Sequence, residues 1–478
     1  MEIRILGATG ALGAGFQLDS LARGVAARPH VIACDAGSTD SGPAALGSGT
    51  PKLSREAVTR DLRHLLHARE ELGVPLIIGS CGTSGRDVGV DWCADIAREI
   101  AKADGLTFRL ARIYSDQDPT ILIGMLAAQR IRPLEPAPAI SAEILRRSHV
   151  VAMMGSEPIE AGLTNGADVV LAGRASDTAL FAALPHLLGA DPGLTWHAAK
   201  TIECGAACAI PPAADGLLVY LRDDHFDVEV LDPAARLTAR SVAAHTLYEN
   251  AHPFLVTEPS GILDTEHASY QELSDRMVRV SGAKFRPAPE YTIKLEGAAL
   301  AGYQTIIVGG IRDHVVIDRL NNILPHAQQY FRARITDIFH AGVDPADVDI
   351  NFRTYGNNGV LGERETSIAA SHELGLLITV TAPTQQIAHT VATFVAHVCS
   401  HLPIPEYDGL VCTIAYPFSP PETDRGPTYE FTLNHVAIPS SPHDMFRTEY
   451  EAVQWQPCST TARSSGPRTQ ARSSSPLI

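Results

Sequence analysis

HVIACDAGSTDSGP, residues 30–43, and PLIIGSCGTSGRD, residues 75–87, share one form: an apolar run breaks into glycine, hydroxyl and acidic residues around a cysteine. Apolar runs of this length, bounded by turn residues, read as buried parallel strands leaving the carboxyl edge of a sheet. In open α/β folds that edge is where ligands bind. The two loops therefore predict a fold class and a place for chemistry together, with Cys34, Asp35, Cys81 and Asp87 as candidate catalytic residues.

Working outward, EIRILGATGALGAGFQLDSLARGV (2–25) reads as strand, glycine turn and helix. SREAVTRDLRHLLHAREELG (54–73) places apolar residues at 58, 62, 65, 66 and 68, near a period of 3.6, with Ser54 as its N-cap. Residues 88–104 read as a helix and LTFRLARIYSD (106–116) as a strand. SAEILRRS leads by a short helix into the strand HVVAMMGSEP, and GADVVLAGRASDTALFAAL gives strand, Gly173 and a helix start. This β-α alternation predicts a mostly parallel, Rossmann-like sheet covered by helices over residues 1–210.

Beyond Pro211 and Pro212 the pattern changes. GLLVYLRDDHFDVEVLD (216–232) alternates apolar and polar residues about an acidic turn and predicts a hairpin; YTIKLEGAALAGYQTIIVGGI (291–311) predicts a second. Helices over RLNNILPHAQQYFRARITDIFHAG and TQQIAHTVATFVAHVCSHL, with strands DVDINFRTYG and ELGLLITVTAP, predict an α+β domain over 211–452, its helices on one face of a mixed or antiparallel sheet. Residues 453–478, rich in Ser, Arg, Thr and Pro without apolar periodicity, predict a disordered tail.

Composition narrows the partners. With 478 residues, 45% hydrophobic and 19% charged, the chain can bury a large core, and its net charge of -16 argues against a nucleic-acid backbone as ligand. No run approaches 18 apolar residues, and MEIRILGATG reads as strand and turn rather than signal peptide, so no membrane partner and a cytoplasmic compartment are expected. Eight cysteines are too few for a disulfide framework. The five lysines (52, 102, 200, 284 and 294) reflect a base-composition bias more readily than a functional demand.

Each loop has a functional reading beside a plainer one. GATGALGAG (7–15), with Gly7, Gly10 and Gly13 between strand and helix and Asp35 at the end of the next strand, approximates a dinucleotide fingerprint; the plainer reading is a tight turn. CDAGSTDSGP supplies Ser38, Thr39 and Asp40, able to bind hydroxyls or a phosphate, or to satisfy their own backbone in Asx turns. GSCGTSGRD adds Thr83, Ser84 and Arg86, whose planar fork suits a carboxylate. Cys34 and Cys81 fit a pair of acid-base thiols, or simple core filling.

Further on stand Asp116 and Asp118, Glu157 and Glu160, Arg174, Ser176 and Asp177, then Glu203, Cys204 and Cys208. Arg174 can reach a substrate acid and Asp177 can cap a helix. The cysteine spacing gives no zinc motif, while an iron-sulfur site from Cys34, Cys81 and Cys204 is a minor alternative, so the metal is left open. Asn357 and Asn358 in INFRTYGNNGVLGERE form a loop that either closes over the first domain or turns a hairpin, and HPFLVTEPSGILDTEHASYQ (252–271) reads as a turn-rich lid.

Taken together, ACDAGSTDSGP, GSCGTSGRD, GSEPIEAGLTNGADVVLAGRASDTAL, KTIECGAACA, NFRTYGNNGVLGERE and SPHDMFRTEYE resemble the acyclic terpene utilisation AtuA-like family over residues 1 to about 450. The resemblance implies a cytoplasmic catabolic protein for branched carbon skeletons or small dicarboxylic acids, and no particular reaction. From residue chemistry, the leading expectation is a hydro-lyase or a proton-transferring isomerase acting on a small carboxylic acid or its CoA thioester. Asp35 or Cys34 would be the base, Cys81 or Asp87 the acid, and Arg86 and Arg174 the clamps. No separate cofactor is assigned, CoA entering as part of the substrate. A nucleotide-dependent oxidoreductase, and a non-catalytic subunit of a complex, are the alternatives; a homo-oligomer or a small partner subunit is expected.

Overall fold

The computed structural model describes residues 1–248, 250–339, 342–366, 371–404, 406–409 and 411–454. Its main sheet has ten strands. Five run parallel, in the spatial order Ile3–Gly7, Val31–Asp35, Leu76–Gly79, Val169–Ala172, Phe108–Tyr114. Antiparallel strands extend both ends: Leu217–Leu221, Phe226–Val230, Met277–Ser281 and Ser269–Ser274 beyond the first, and Arg447–Val453 beyond Phe108–Tyr114.

Connection handedness explains the layers. The chain steps in one direction through its first parallel strands, so right-handed crossovers put their helices, Leu18–Ala26, Arg55–Leu72 and Asp87–Asp104, on one face. Leu21, Val58, Leu62, Val90 and Ile96 pack there into a core with Ile32 and Cys34. The step back to Val169–Ala172 reverses direction, and the helices Glu157–Thr164, Ala179–Leu187 and Pro192–Ile202 cover the other face with Val31 and Ala33. Each fully buried leucine contributes about 2 kcal/mol here.

The sheet is thus mixed, and its strand order departs from a Rossmann sheet. That order needs parallel neighbours on both sides of the first strand. Here Ile3–Gly7 has the antiparallel Leu217–Leu221 on one side, so there is no switch-point crevice beside it. The hairpin expected over 216–232 forms, joining this same sheet.

A second sheet of six strands is antiparallel throughout, with Leu320–Phe339 and Gln385–Cys399 packed on one face. The hairpin expected over 291–311 does not form. Ile293–Ile311 is one 19-residue strand, and its glycines accommodate register shifts at Gly297/Ala298 and Leu300/Gly302 instead of a turn. The expected lid also takes regular form: Leu255–Glu258 and Gly261–Asp264 pair as a hairpin in a three-stranded sheet with Lys284–Pro287. Val453 ends the strand Arg447–Val453 and is buried, so the expected tail starts later than composition indicates; its residues 455–478 lie outside the described residues.

Candidate functional site

The two glycine-rich loops lie side by side, as their strands pair in parallel with Asp35 opposite Gly79. A Cβ on Gly37 would sit 2.9 Å from Thr83 Cα, so only glycine permits this approach. Gly85 presses still closer on the third loop, where a Cβ would fall 2.1 Å from Arg174 N. Ser80 and Thr83 take positive φ, of 46° and 79°, which wraps the chain tightly at this edge. Backbone bonds from Ser80 N to Gly173 O (2.9 Å) and Arg174 N to Gly85 O (3.1 Å) lock the loops together.

Beneath the loops lies a buried polar cluster on the face covered by Ala179–Leu187 and Pro192–Ile202. Arg174 donates Nε–H to Glu296 Oε2 (2.8 Å) and Nη1–H to Ala175 O (2.8 Å), Ser80 Oγ (3.2 Å) and Asp177 Oδ1 (3.3 Å). Lys200 is 6% exposed and bonds Glu203, one helical turn on. Glu258, from the expected lid, accepts from Ser176 Oγ (2.7 Å) and Thr178 Oγ1 (2.6 Å). Asp35 takes the amide of Gly37 at 2.8 Å.

Electrostatics divide this cluster in two. Glu296 is fixed as an anion: burial pushes its pKa up, but Arg174 and Lys294 together hold it down at about 2. The other four carboxyls move the opposite way. Burial raises Asp35, with Asp177 adding to the rise, and raises Asp177 against the pull of Arg174. Burial likewise raises Glu203 against Lys200, and lifts Glu258 to about 7 against its hydroxyl donors. Lys200 keeps its proton: burial works against the charge, and Glu203 more than offsets it. Two fixed cations thus stand among four carboxyls that retain protons more tightly than usual, an arrangement suited to giving and taking protons.

The expected thiols are not part of it. Successive strand residues point to opposite faces, so Cys34 faces the helices Arg55–Leu72 and Asp87–Asp104 while Asp35 faces the cluster. Cys34 and Cys81 are both 0% exposed, and burial raises both thiols well above their usual range. Neither is presented to a substrate as an acid-base group. Among the described residues no group of three or more His, Cys, Asp or Glu is arranged to hold a metal.

The other candidates divide by location. Asp177 reaches the surface with 31% of its side chain exposed, and Asp40, bonded to Ser38, raises its pKa from nearby. Thr39 is buried. Thr83 and Ser84 are used internally: Thr83 Oγ1 accepts from Lys52 N (2.9 Å) and Ser84 Oγ donates to Ala45 O (3.2 Å). The expected clamp Arg174 is turned inward on protein carboxylates, and Arg86 pairs with Asp116 at 3.4 Å.

The glycine turn is also occupied by protein. Gly13 N and Gly15 N both donate to the buried Asp61 Oδ2 (2.8 and 2.9 Å), and the following helix starts on Asp215, which accepts from Gln17 N (3.2 Å) and Ser20 Oγ (2.6 Å). A Cβ on Gly10 would lie 2.6 Å from Cys204 O, and Gly7 packs under Ile202 and Phe181. The amides that would cradle a pyrophosphate thus face carboxylates.

Asn357 and Asn358 sit in a turn after Asp349–Tyr355. Tyr355 lies opposite Gly375, which lies opposite Gly310. Glu296 is at the other end of that same strand, roughly 45 Å away at about 3.3 Å per residue. The asparagines therefore do not reach the cluster within one chain.

Asp87 stands at a separate cavity of about 560 Å³, with Tyr114, Asp116, Met445 and Arg447 in its lining. Asp87 Oδ1 accepts from Ser115 N (3.0 Å) and Asp116 N (2.9 Å). Burial, with Asp87 adding, lifts Asp116 to about 6.

Sequence reading missed Lys200, Glu258, Glu296 and Lys294. For Lys200 a signal existed: among five lysines, one spaced three residues from Glu203 in an otherwise apolar helix deserved weight as a buried pair. Glu258 is concealed in FLVTEPSGILD, whose turn-rich composition suggests a lid although it has strand, turn and strand form.

A family model described as acyclic terpene utilisation family protein AtuA matches residues 53–207 and 232–416. These spans contain Arg174, Asp177, Lys200, Glu203, Glu258 and Glu296 and leave out the glycine turn of residues 7–15 and Asp35. No curated protein and no solved structure gives a match.

Proposed function

The chain belongs to the AtuA family of acyclic terpene utilisation, which ties it to acyclic terpene catabolism, and from this premise we propose that it is an enzyme moving a proton on a small or branched carboxylic acid or its CoA thioester. The observation that carries the reading is the set Asp35, Asp177, Glu203 and Glu258, all raised in pKa beside Lys200 and Arg174 at the carboxyl edge of the parallel strands. Asp177, the member that reaches solvent, takes the proton from the carbon next to the carboxyl or thioester group. Lys200 and Arg174 supply the positive field that stabilises the enolate charge as it develops. A protonated carboxyl behind Asp177 returns a proton to carbon, giving isomerisation, or to a departing hydroxyl, giving dehydration.

Incubation in D2O with a panel of unsaturated and hydroxy acids, free and as CoA thioesters, tests the reading by mass spectrometry. Deuterium at the α-carbon, or gain or loss of one water, is expected from the chain alone and is lost in Asp177→Asn. No exchange with any member would leave the subunit reading, in which activity needs a partner chain. The oxidoreductase reading has less support, because the loop amides it requires already face Asp61 and Asp215.

A further inference from the structure

The 560 Å³ cavity beside Asp87 lies outside that cluster. It opens where Phe108–Tyr114 ends, beside the start of the helix Asp87–Asp104, and none of the residues lining it belongs to the Arg174 and Lys200 cluster. The strand carrying Asp35 is three positions across the sheet, about 14 Å at the usual strand spacing, while the strand leading to Arg174 is the immediate neighbour. Its size falls within the ordinary range of small-molecule sites, about 300–1,000 Å³.

One wall is apolar, formed by Ile121, Met125, Pro439, Met445 and Phe446. The polar end is more selective. Of its acids, Asp118 is spent capping Thr120 N (2.6 Å) and Asp444 accepts Ser440 N and Ser441 N (2.9 and 2.8 Å). Arg130 is committed to Ile438 O (2.8 Å) and Ser440 Oγ (3.0 Å). Arg447 lies over the Tyr114 ring, 4.0 Å from its centroid, and pairs with Glu449 and Asp87. What remains unsatisfied is an acceptor: Asp116 Oδ1 is buried with no hydrogen-bond partner, next to Asp87. An added carboxylate would meet the carboxylates of Asp87 and Asp116, with both guanidinium groups, Arg130 and Arg447, already engaged.

We propose that this cavity binds an apolar small molecule through a hydrogen-bond-donating head group, a hydroxyl or an ammonium, seated on Asp116 and Asp87, with its hydrocarbon body along Ile121, Met125, Met445 and Phe446. Asp116 accepts from the head group, and the apolar wall supplies most of the affinity. Asp116 titrates near 6, so an ammonium ligand gains as pH rises through that value while a hydroxyl ligand changes less.

Calorimetric titration of the full chain with octan-1-ol, octylamine and octanoate tests this. Saturable binding is expected for the alcohol, the amine or both, at least tenfold tighter than for octanoate; equal binding of all three, or tighter binding of octanoate, overturns it. Asp116→Asn should weaken the amine at least tenfold. Ile121→Trp, at a position 61% exposed and so tolerant of exchange, should fill the apolar wall and weaken every bound probe. Should Asp116→Asn fail to fold, Ile121→Trp decides the matter alone: unchanged binding in it overturns the site. Asp177→Asn should leave binding unaltered, and loss of binding there would move the ligand to the buried cluster, failing this proposal without failing the proton-transfer reading.

Discussion

Arg174 Nε donates to Glu296 Oε2 at 2.8 Å, joining the end of a parallel strand to the start of the 19-residue strand of the second sheet. Both side chains are 6% exposed. A buried pair stabilises little against an apolar replacement, but breaking it strands a charge, at a cost of about 3–5 kcal/mol.

Arg174→Met should therefore destabilise the chain by about 3–5 kcal/mol in urea unfolding, and Glu296→Leu by a similar amount. The double variant should cost less than the two added together, because no charge is stranded. Additive losses would show that the pair is not coupled. Glu296, held at about 2, contributes stability that is present above its unfolded value and is lost as pH falls through about 2.

Glu258 gives the opposite pH dependence. Its folded pKa of about 7 lies above its unfolded value, so the folded state holds the proton longer and the stability it contributes declines as pH rises from about 4.5 through 7. Unfolding free energy measured from pH 5 to 8 should fall with pH, and Glu258→Gln should flatten part of that slope. An unchanged slope in the variant would assign the effect to other carboxyls.

These two carboxyls mark how far sequence alone reaches. The parallel strands, both glycine loops and their adjacency were legible because apolar runs of four or five residues ending in glycine have one main structural meaning. Asp35, Arg174 and Asp177 were legible for the same reason, as they lie at the strand ends. Glu258 and Glu296 were not, since both sit inside antiparallel strands brought in from 80 and more positions away. Cys34 lies one residue of register away from the cluster, on the face covered by Arg55–Leu72 and Asp87–Asp104. A strand reverses its face at each step, and period two separates a core thiol from the site carboxyl beside it.

The buried thiols lead to a direct test. Cys34→Ala with Cys81→Ala should retain turnover on any substrate found, apart from losses that follow stability, and the native chain should leave both thiols unmodified by an alkylating reagent under non-denaturing conditions. Burial and proton retention both suppress the reactive thiolate. Abolished turnover in a variant that keeps its fold would restore the thiols as acid-base groups.

Asp61 tests what the glycine turn is for. Its carboxylate, 1% exposed, takes Gly13 N and Gly15 N and lies beside Arg60, so the turn is held from the helix Arg55–Leu72 behind it. Asp61→Ala leaves two amides without an acceptor, and at about 1–3 kcal/mol for each unsatisfied group the loss should be roughly 2–6 kcal/mol, read from the urea midpoint. Nicotinamide cofactors should show no saturable binding at millimolar concentration, measured by fluorescence titration of the intact chain. A carboxylate at the place of the pyrophosphate occupies its amide donors and repels its charge. If a dinucleotide binds and Asp61→Ala tightens it, the turn is a nucleotide site whose acid must swing aside, and the loop regains the role its glycine spacing suggests.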